Sequence, residues 1–399
     1  MTKHKILVVG GGFGGIKASL LLAKNPYFDV TLITDNPNFR YYPTLFRTAT
    51  GGVEQLASIP LETIFKKVPI NIFIDSAVSI DRDTRMIKTK QNKEFGYDSL
   101  ILALGVKTNY FHIKGLEKYS YGIKTVEDAE KLKKHLHDQI TKNLKPDLNY
   151  VVVGGGPTGV ELAAMLPSYI SKILRNHGLD NNNVHIDIVE ASKRMLPKST
   201  KDLSIKVERH LKKLGINVYT NTVVQSETSG RLLVNNSPIM SHTVIWTAGA
   251  SNHPFFLDNN FNISKHGRVI VDRHLQSEPD IYVIGDNADT RYSGMAQTAI
   301  YDGEFVANNL IRIVKGQKPL GYKAKQPIYV FSVGPKWAAV LWGRLRVYGL
   351  LGSWLRQIAD IVGYHSFEPW QMAIEQAAEE LESEDDCPVC DHKKSKSKK

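Results

Sequence analysis

Cysteine is almost missing from this chain of 399 residues: only Cys387 and Cys390 occur, both close to its end. Residues 1–386 can therefore hold neither a disulfide framework nor a thiol active site, which suits a reducing cytoplasmic setting. Long apolar runs are missing too. A bilayer-spanning helix needs about 18 or more apolar residues in succession, and the most hydrophobic stretch, toward the C-terminus, is interrupted by Lys336, Arg344, Arg346 and Arg356. The N-terminus lacks the apolar stretch and small-residue cleavage site of a signal peptide, since Met1 to Lys5 runs straight into Ile6-Leu7-Val8-Val9. The expectation is an unexported protein whose membrane contact, if any, is peripheral, on the cytoplasmic face of the cell membrane. Acidic residues are in deficit, 40 Asp+Glu against 51 Lys+Arg, for a formal charge of +11. That balance suits an anionic lipid surface or a nucleic acid, and charge alone does not choose between them. With 42% hydrophobic residues the chain can bury interiors for two or three domains.

Glycine is concentrated where it carries information. The first apolar strand enters Gly10-Gly11-Gly12-Phe13-Gly14-Gly15 and a helix-compatible run follows from Ile16 to Lys24. Gly10 permits the tight turn, Gly12 lets backbone approach a pyrophosphate, and Gly15 lets helix and strand pack closely, while the helix start supplies N–H groups and positive dipole. The next strand, Val30 to Thr34, ends on Asp35, where a carboxylate accepts hydrogen bonds from an adenosine ribose. The pattern recurs: Tyr150 to Val153 enters Gly154-Gly155-Gly156-Pro157-Thr158-Gly159, and the strand His185 to Val189 ends on Glu190. Glu190 favours NADH because a 2′-phosphate would meet like charge, although the neighbouring Lys193 and Arg194 could accept that phosphate. Two dinucleotide sites imply a tightly held FAD and a diffusing NADH, since hydride transfer needs donor and acceptor stacked together. No nucleic-acid partner is then needed to explain the charge.

Further along, Asp280 to Asp286 is a short apolar strand ending in Gly-Asp, which resembles the arrangement by which two-dinucleotide flavoproteins return the chain to the FAD domain, a likeness that implies Asp286 at the ribitol. Tyr97 to Gly105 and Val244 to Ala250 look like the strands that close the FAD and nicotinamide folds. The implied fold class is α/β, with two Rossmann-like dinucleotide-binding domains and a C-terminal amphipathic membrane-associating segment. The FAD domain is discontinuous, residues 1–117 and 265–322, with the NADH domain, 118–264, inserted; 323–378 is the membrane-associating segment, and 379–399 is a charged tail expected to be disordered.

Tyr42-Pro43-Thr44-Leu45-Phe46-Arg47, Thr108-Asn109-Tyr110-Phe111, Lys124-Thr125-Val126-Glu127-Asp128-Ala129 and Ala296-Gln297-Thr298-Ala299 carry a more specific likeness. Across nearly the whole folded chain they resemble type II NADH:quinone oxidoreductases, single-subunit respiratory dehydrogenases that pump no protons. The resemblance implies oxidation of NADH and two-electron reduction of a membrane quinone, with the quinone mouth in the C-terminal segment 323–378. It implies FAD contacts at Gly14, Thr34, Pro43, Val78, Gly105, Ala296 and Gln297 besides Gly10, Gly12, Gly15, Asp35 and Asp286, and NADH contacts at Ala248 and Gly249 besides Gly154, Gly156, Gly159 and Glu190. It places Glu161, the expected catalytic residue, beside the two stacked rings, to position them and relay a proton toward the quinone. As a bare sequence feature Glu161 could equally be a glutamate complementing the helix dipole. Where the family carries a glutamine pair lining the quinone tunnel, this chain continues Ile300-Tyr301-Asp302-Gly303, so Gln297 and Tyr301, four apart on one helix face, become the expected quinone contacts. Sulfide:quinone and disulfide reductases need cysteines beside the flavin and are disfavoured. A soluble ferredoxin or rubredoxin reductase, and a non-enzymatic FAD/NADH-binding redox sensor, remain as alternatives.

Four of the five tryptophans, Trp337, Trp342, Trp354 and Trp370, fall in the last quarter among arginines. A helix over 346–362 would align Val347, Leu350, Leu351, Trp354, Ile358, Ile361 and Val362 on one apolar face, with Gly349, Gly352 and Gly363 working against an unbroken helix. That face fits a lipid headgroup boundary with Arg344, Arg346 and Arg356 meeting acidic lipids; packing on the protein's own core or in a homodimer is the other reading. Cys387, Cys390 and His392 supply three of the four ligands a closed zinc site needs, and no metal is expected.

Overall fold

The computed structural model describes residues 3–142, 149–179 and 184–383. The run Asn181 to Asn183, read as a turn, and the Cys387–His392 segment lie outside the described residues.

Two parallel sheets organise the chain. In the first, β1 (His4–Val9), α1 (Phe13–Ala23), β2 (Phe28–Thr34), β3 (Asn71–Ile74) and β4 (Ser99–Leu102) are laid down in sequence. The chain then leaves to build a second sheet from β5 (Asn149–Val153), α2 (Pro157–Asn176), β6 (His185–Val189), α3 (Lys201–Lys213), β7 (Ile216–Tyr219) and β8 (Thr243–Trp246). It returns with β9 (Gln276–Glu278), β10 (Ile281–Val283) and helix α4 (Ala296–Val314). The first sheet reads β9-β10-β4-β1-β2-β3 and the second β7-β6-β5-β8. All neighbours are parallel except β9 with β10.

The strands explain this arrangement. β1 and β5 read as continuous β-branched and aliphatic runs, buried on both faces, as central parallel strands must be. α1 and α4 cross closely, which small residues permit: a Cβ added at Gly303 would lie 2.4 Å from the Gly14 carbonyl oxygen, and one at Gly14 would lie 2.9 Å from that of Ala299.

The last part of the chain is a three-stranded antiparallel sheet, β11 (Tyr329–Ser332), β12 (Ala338–Trp342) and β13 (Leu345–Gly349), followed by α5 (Leu350–His365) and α6 (Trp370–Ser383). Phe331, Val333, Ala339 and Leu341 join the core of the second unit, whereas Tyr364, Phe367 and Ala373 join that of the first, so this segment bridges both. Arg346 pairs with Asp202 on α3 at 2.6 Å, and His210 stacks on Trp337 at 4.3 Å.

Three expectations are corrected here. The helix begins at Leu350 rather than 346, because Arg346 and Val347 pair with Leu341 and Val340 in the hairpin, and Gly349 turns the chain at φ +76°. Gly352 and Gly363 do not break the helix; they seat it, since a Cβ at either would meet the Ala338 carbonyl oxygen at 2.3 Å or the Tyr41 hydroxyl at 2.0 Å. Residues 379–383, assigned to the tail, continue α6.

Candidate active site

Both glycine turns open at the C-terminal ends of their sheets. Gly10 and Gly154 take φ +115° and +118°, and side chains at Gly15 and Gly159 would collide with the carbonyl oxygens of Gly10 and Gly154 at 2.0 and 1.9 Å. Gly12 and Gly156 differ: each caps a helix without a side chain, and a Cβ there would meet nothing within 4 Å. The space they leave belongs to one cleft of about 1380 Å³ that joins the two turns. Helix-start N–H groups beside room for an extended ligand form an anion cradle.

Carboxylates mark the ends of that cradle. Asp35, one residue past β2, lines the cleft with Thr34 and lies 3.7 Å from Arg40. Glu190, one residue past β6, is fixed by two backbone donors at 2.6 Å: the Gly155 N–H to Oε2 and the Ser192 N–H to Oε1. Asp286 accepts the Gly294 N–H at 3.0 Å. Lys124 shares the wall, where burial holds its ammonium below the usual lysine range and Asp286 partly opposes that.

Most of the expected contacts converge. Gly14, Pro43, Gly105 and Ala296 line the cleft around the first turn, and Ala248 and Gly249 do so at the second. Gly15 and Gly159 stand behind it, where close packing needs them. Val78 does not reach it: this residue is exposed at a sheet edge, its carbonyl accepting from Asn259, and Asp75 to Ala77 line the cleft instead. Tyr301 is likewise turned aside, its ring 5.7 Å from that of Tyr322 and under the Lys325 ammonium at 4.0 Å. Gln297 lines the cleft, but its amide is tied to the Ile328 backbone by two 3.0 Å hydrogen bonds.

Glu161 projects from α2 into the cleft, and its Oε1 accepts the Ser332 N–H at 3.1 Å. Burial raises its carboxyl from 4.5 to about 7, against the pull of Arg356, that hydrogen bond and Arg47. Arg356 and Asp360 come from α5 and were missed as site residues. Expected to face lipid, Arg356 is instead buried, ion-paired with Asp360, because the inner side of α5 abuts the cleft. An acid–base pair four apart inside an otherwise apolar helix was the signal available. Arg194 is also occupied, donating to Ser204 Oγ at 2.8 Å and the Pro197 carbonyl at 2.6 Å, and neither it nor Lys193 lines the cleft.

Two glycine turns facing one cleft, each with a carboxylate after the following strand, define a two-dinucleotide redox fold. Residues 4–303 match the family described as pyridine nucleotide-disulphide oxidoreductase, and the chain belongs to it. A type II NADH:quinone oxidoreductase of Staphylococcus haemolyticus is 27% identical over 383 residues, covering 90% of this chain and 94% of the relative. Among solved structures, NDH2 from Plasmodium falciparum in complex with NADH superposes with a TM-score of 0.86 at 21% identity, over 95% of this chain and 98% of the other. The sulfide:quinone oxidoreductase of Aquifex aeolicus superposes with a TM-score of 0.78 at 20% identity, over 94% and 92%. These structures share the fold. No described helix is long and apolar enough to cross a membrane.

Proposed function

We propose that this protein binds FAD at the first glycine turn and NADH at the second, and reduces a quinone arriving from an anionic lipid surface to which it is peripherally attached. The observation that carries the reading is the continuity of the cleft: one cavity runs from Gly12 past Gly156 to Glu161 and Arg356 on the inner side of α5. The outer side of that helix is apolar and exposed. The curated relative's name points to the same reaction.

A flavin bound there would supply the two-electron redox chemistry that links the nicotinamide to the quinone. The chain's own residues bind, orient and supply charge. The helix-start N–H groups after Gly12 and Gly156 hold pyrophosphates, and Asp35 holds an adenosine ribose. Glu190, its two oxygens already fixed, accepts from the NADH ribose and repels a 2′-phosphate, while Arg194 is held away from it. The overall balance, NADH + H⁺ + quinone → NAD⁺ + quinol, requires one proton from the medium. Glu161, able to hold a proton near neutrality, relays it. Tyr329, Phe331 and Pro43 line the acceptor end that Tyr301 was expected to serve.

Steady-state NADH oxidation by the purified protein in lipid, with menaquinone and ubiquinone analogues, tests the reading. A protein that retains no FAD after reconstitution, or that reduces an iron–sulfur protein and no quinone, would refute it. Glu190→Gln should relax the preference for NADH over NADPH by on the order of tenfold, one charge repulsion's worth.

A further inference from the structure

Three buried charges meet where α5 closes the cleft. Asp360 is 2% exposed, Arg356 7% and Arg47, on the short helix Leu45–Ala49, 8%. The Asp360 carboxylate sits between the two guanidinium groups: one oxygen pairs with Arg356 and the other lies 3.4 Å from Arg47 Nη1. Arg356 also donates to the Pro43 carbonyl at 3.4 Å, which fixes the cluster to the cleft wall. Glu161 faces this cluster from α2, and among the described residues its polar contact is the Ser332 N–H.

We propose that Asp360 is a positioning residue for Glu161: held between Arg47 and Arg356, it offsets part of the charge that those guanidinium groups bring to bear on Glu161 and leaves that carboxyl able to pass a proton to the bound quinone. The inference rests on the reading of Glu161 as the relay. The groups acting on Glu161 are Arg356 from α5, the Ser332 N–H from β11 and Arg47 from the short helix, and Asp360 acts on it through the two arginines that it pairs. Two cations act against one fixed anion, so the cluster keeps one net positive charge while Glu161 is neutral and none once Glu161 ionises. Without Asp360 the balance would be more positive by one charge and Glu161 would stay ionised, unable to donate. Burial alone would push the other way and leave Glu161 permanently protonated. Burial, opposed by Arg356, the Ser332 N–H and Arg47, sets the carboxyl at about 7, between these limits.

In the step served, the hydride equivalent from NADH brings the quinone two electrons and one proton. The Glu161 carboxyl O–H breaks to supply the second proton, a quinol O–H forms, and Glu161 regains its proton from the medium, which supplies the one H⁺ of the overall balance.

The test is the pH profile of quinone-dependent kcat, read together with the infrared carboxyl band that Glu161→Gln removes. Asp360→Asn should move the alkaline limb and the band's titration down by about one pH unit or more, because an added positive charge favours the carboxylate. Arg47→Gln should move both up by a similar amount, and the double variant should return them to the wild-type position. Variants that slow turnover while leaving limb and band in place would overturn the proposal, since a structural role alone cannot give shifts of opposite sign. If Asp360→Asn does not fold, the upward shift in Arg47→Gln decides alone, and its absence overturns the proposal. The outcomes are separable: a limb that persists in Glu161→Gln refutes the relay itself, whereas a limb lost there but unmoved in the other variants refutes only Asp360.

Discussion

Helices α3 and α5 have sequences of the same rhythm and opposite orientation. α3 buries Leu203, Val207 and Leu211 and turns its charges outward. α5 buries Gly352, Arg356, Asp360 and Tyr364, and leaves Leu350, Leu351, Trp354, Ile358 and Val362 between 50% and 68% exposed. Trp370 and Ile374 on α6, with Trp342 and Leu345 on the hairpin, add to that apolar surface. A stripe at three-to-four spacing says that a helix has two faces; what lies on each side decides which one turns inward. For α3 the inside is a hydrophobic core. For α5 it is the hairpin at Gly352, the cleft at Arg356 and Asp360 and the first unit's core at Tyr364, and large apolar side chains grouped on the outside mark a surface that meets something other than water.

The comparison can be broken by truncating matched side chains. Leu211→Ala on α3 should cost ~2–5 kcal/mol of stability by leaving a cavity, whereas Leu351→Ser on α5 should stay within about 0.5 kcal/mol. Urea unfolding of the two variants checks this, and equal losses would show that the α5 face is covered by the protein itself. Next in size, Trp354→Ser should weaken binding to anionic vesicles roughly tenfold or more, since about 1.5–3 kcal/mol of apolar transfer is lost. Co-sedimentation measures it, and an unchanged partition would remove lipid as the occupant of that face.

A smaller effect separates the inner sides. Glu161, raised from 4.5 to about 7 in the fold, holds its proton more tightly when folded, so its contribution is complete below about 4.5 and is lost as pH rises toward 7. Glu161→Gln, which stays neutral, should therefore gain stability relative to wild type at about pH 8 compared with about pH 5, read from urea midpoints. No such gap is expected for a substitution on α3. Smallest of all, Asp202→Asn removes the exposed Arg346 pair between α3 and β13 and should move a urea midpoint by an amount at the edge of detection.

The sequence was most informative where backbone geometry demands one residue type. Gly10 with Gly15, and Gly154 with Gly159, are forced by carbonyl oxygens about 2 Å from any added Cβ, so the two nucleotide turns were legible without a structure. Asp35, Glu190 and Asp286 followed from their distance past those turns or strand ends. Side-chain direction was not legible. Tyr301 sits on the expected helix, but its ring is drawn to Tyr322 and Lys325. Val78 misses the cleft that its neighbour Ala77 lines, because alternate strand residues point to opposite faces. Arg356 read as a lipid-facing cation although Asp360 stands four residues on, because Arg47, about three hundred residues earlier, meets the same Asp360 carboxylate only when α5 docks.

The interrupted first sheet has a consequence for how the protein is made. The Gly10–Gly15 turn leaves the ribosome early, but β10, which flanks β4, and α4, whose Gly303 seats against Gly14, emerge only after the whole second sheet. The usual N-terminal-first order of folding is therefore inverted. During synthesis the second sheet has all its strands while the first still waits for β10, and a nascent chain halted before Ala296 has every residue of the first glycine turn but lacks the helix that packs against it.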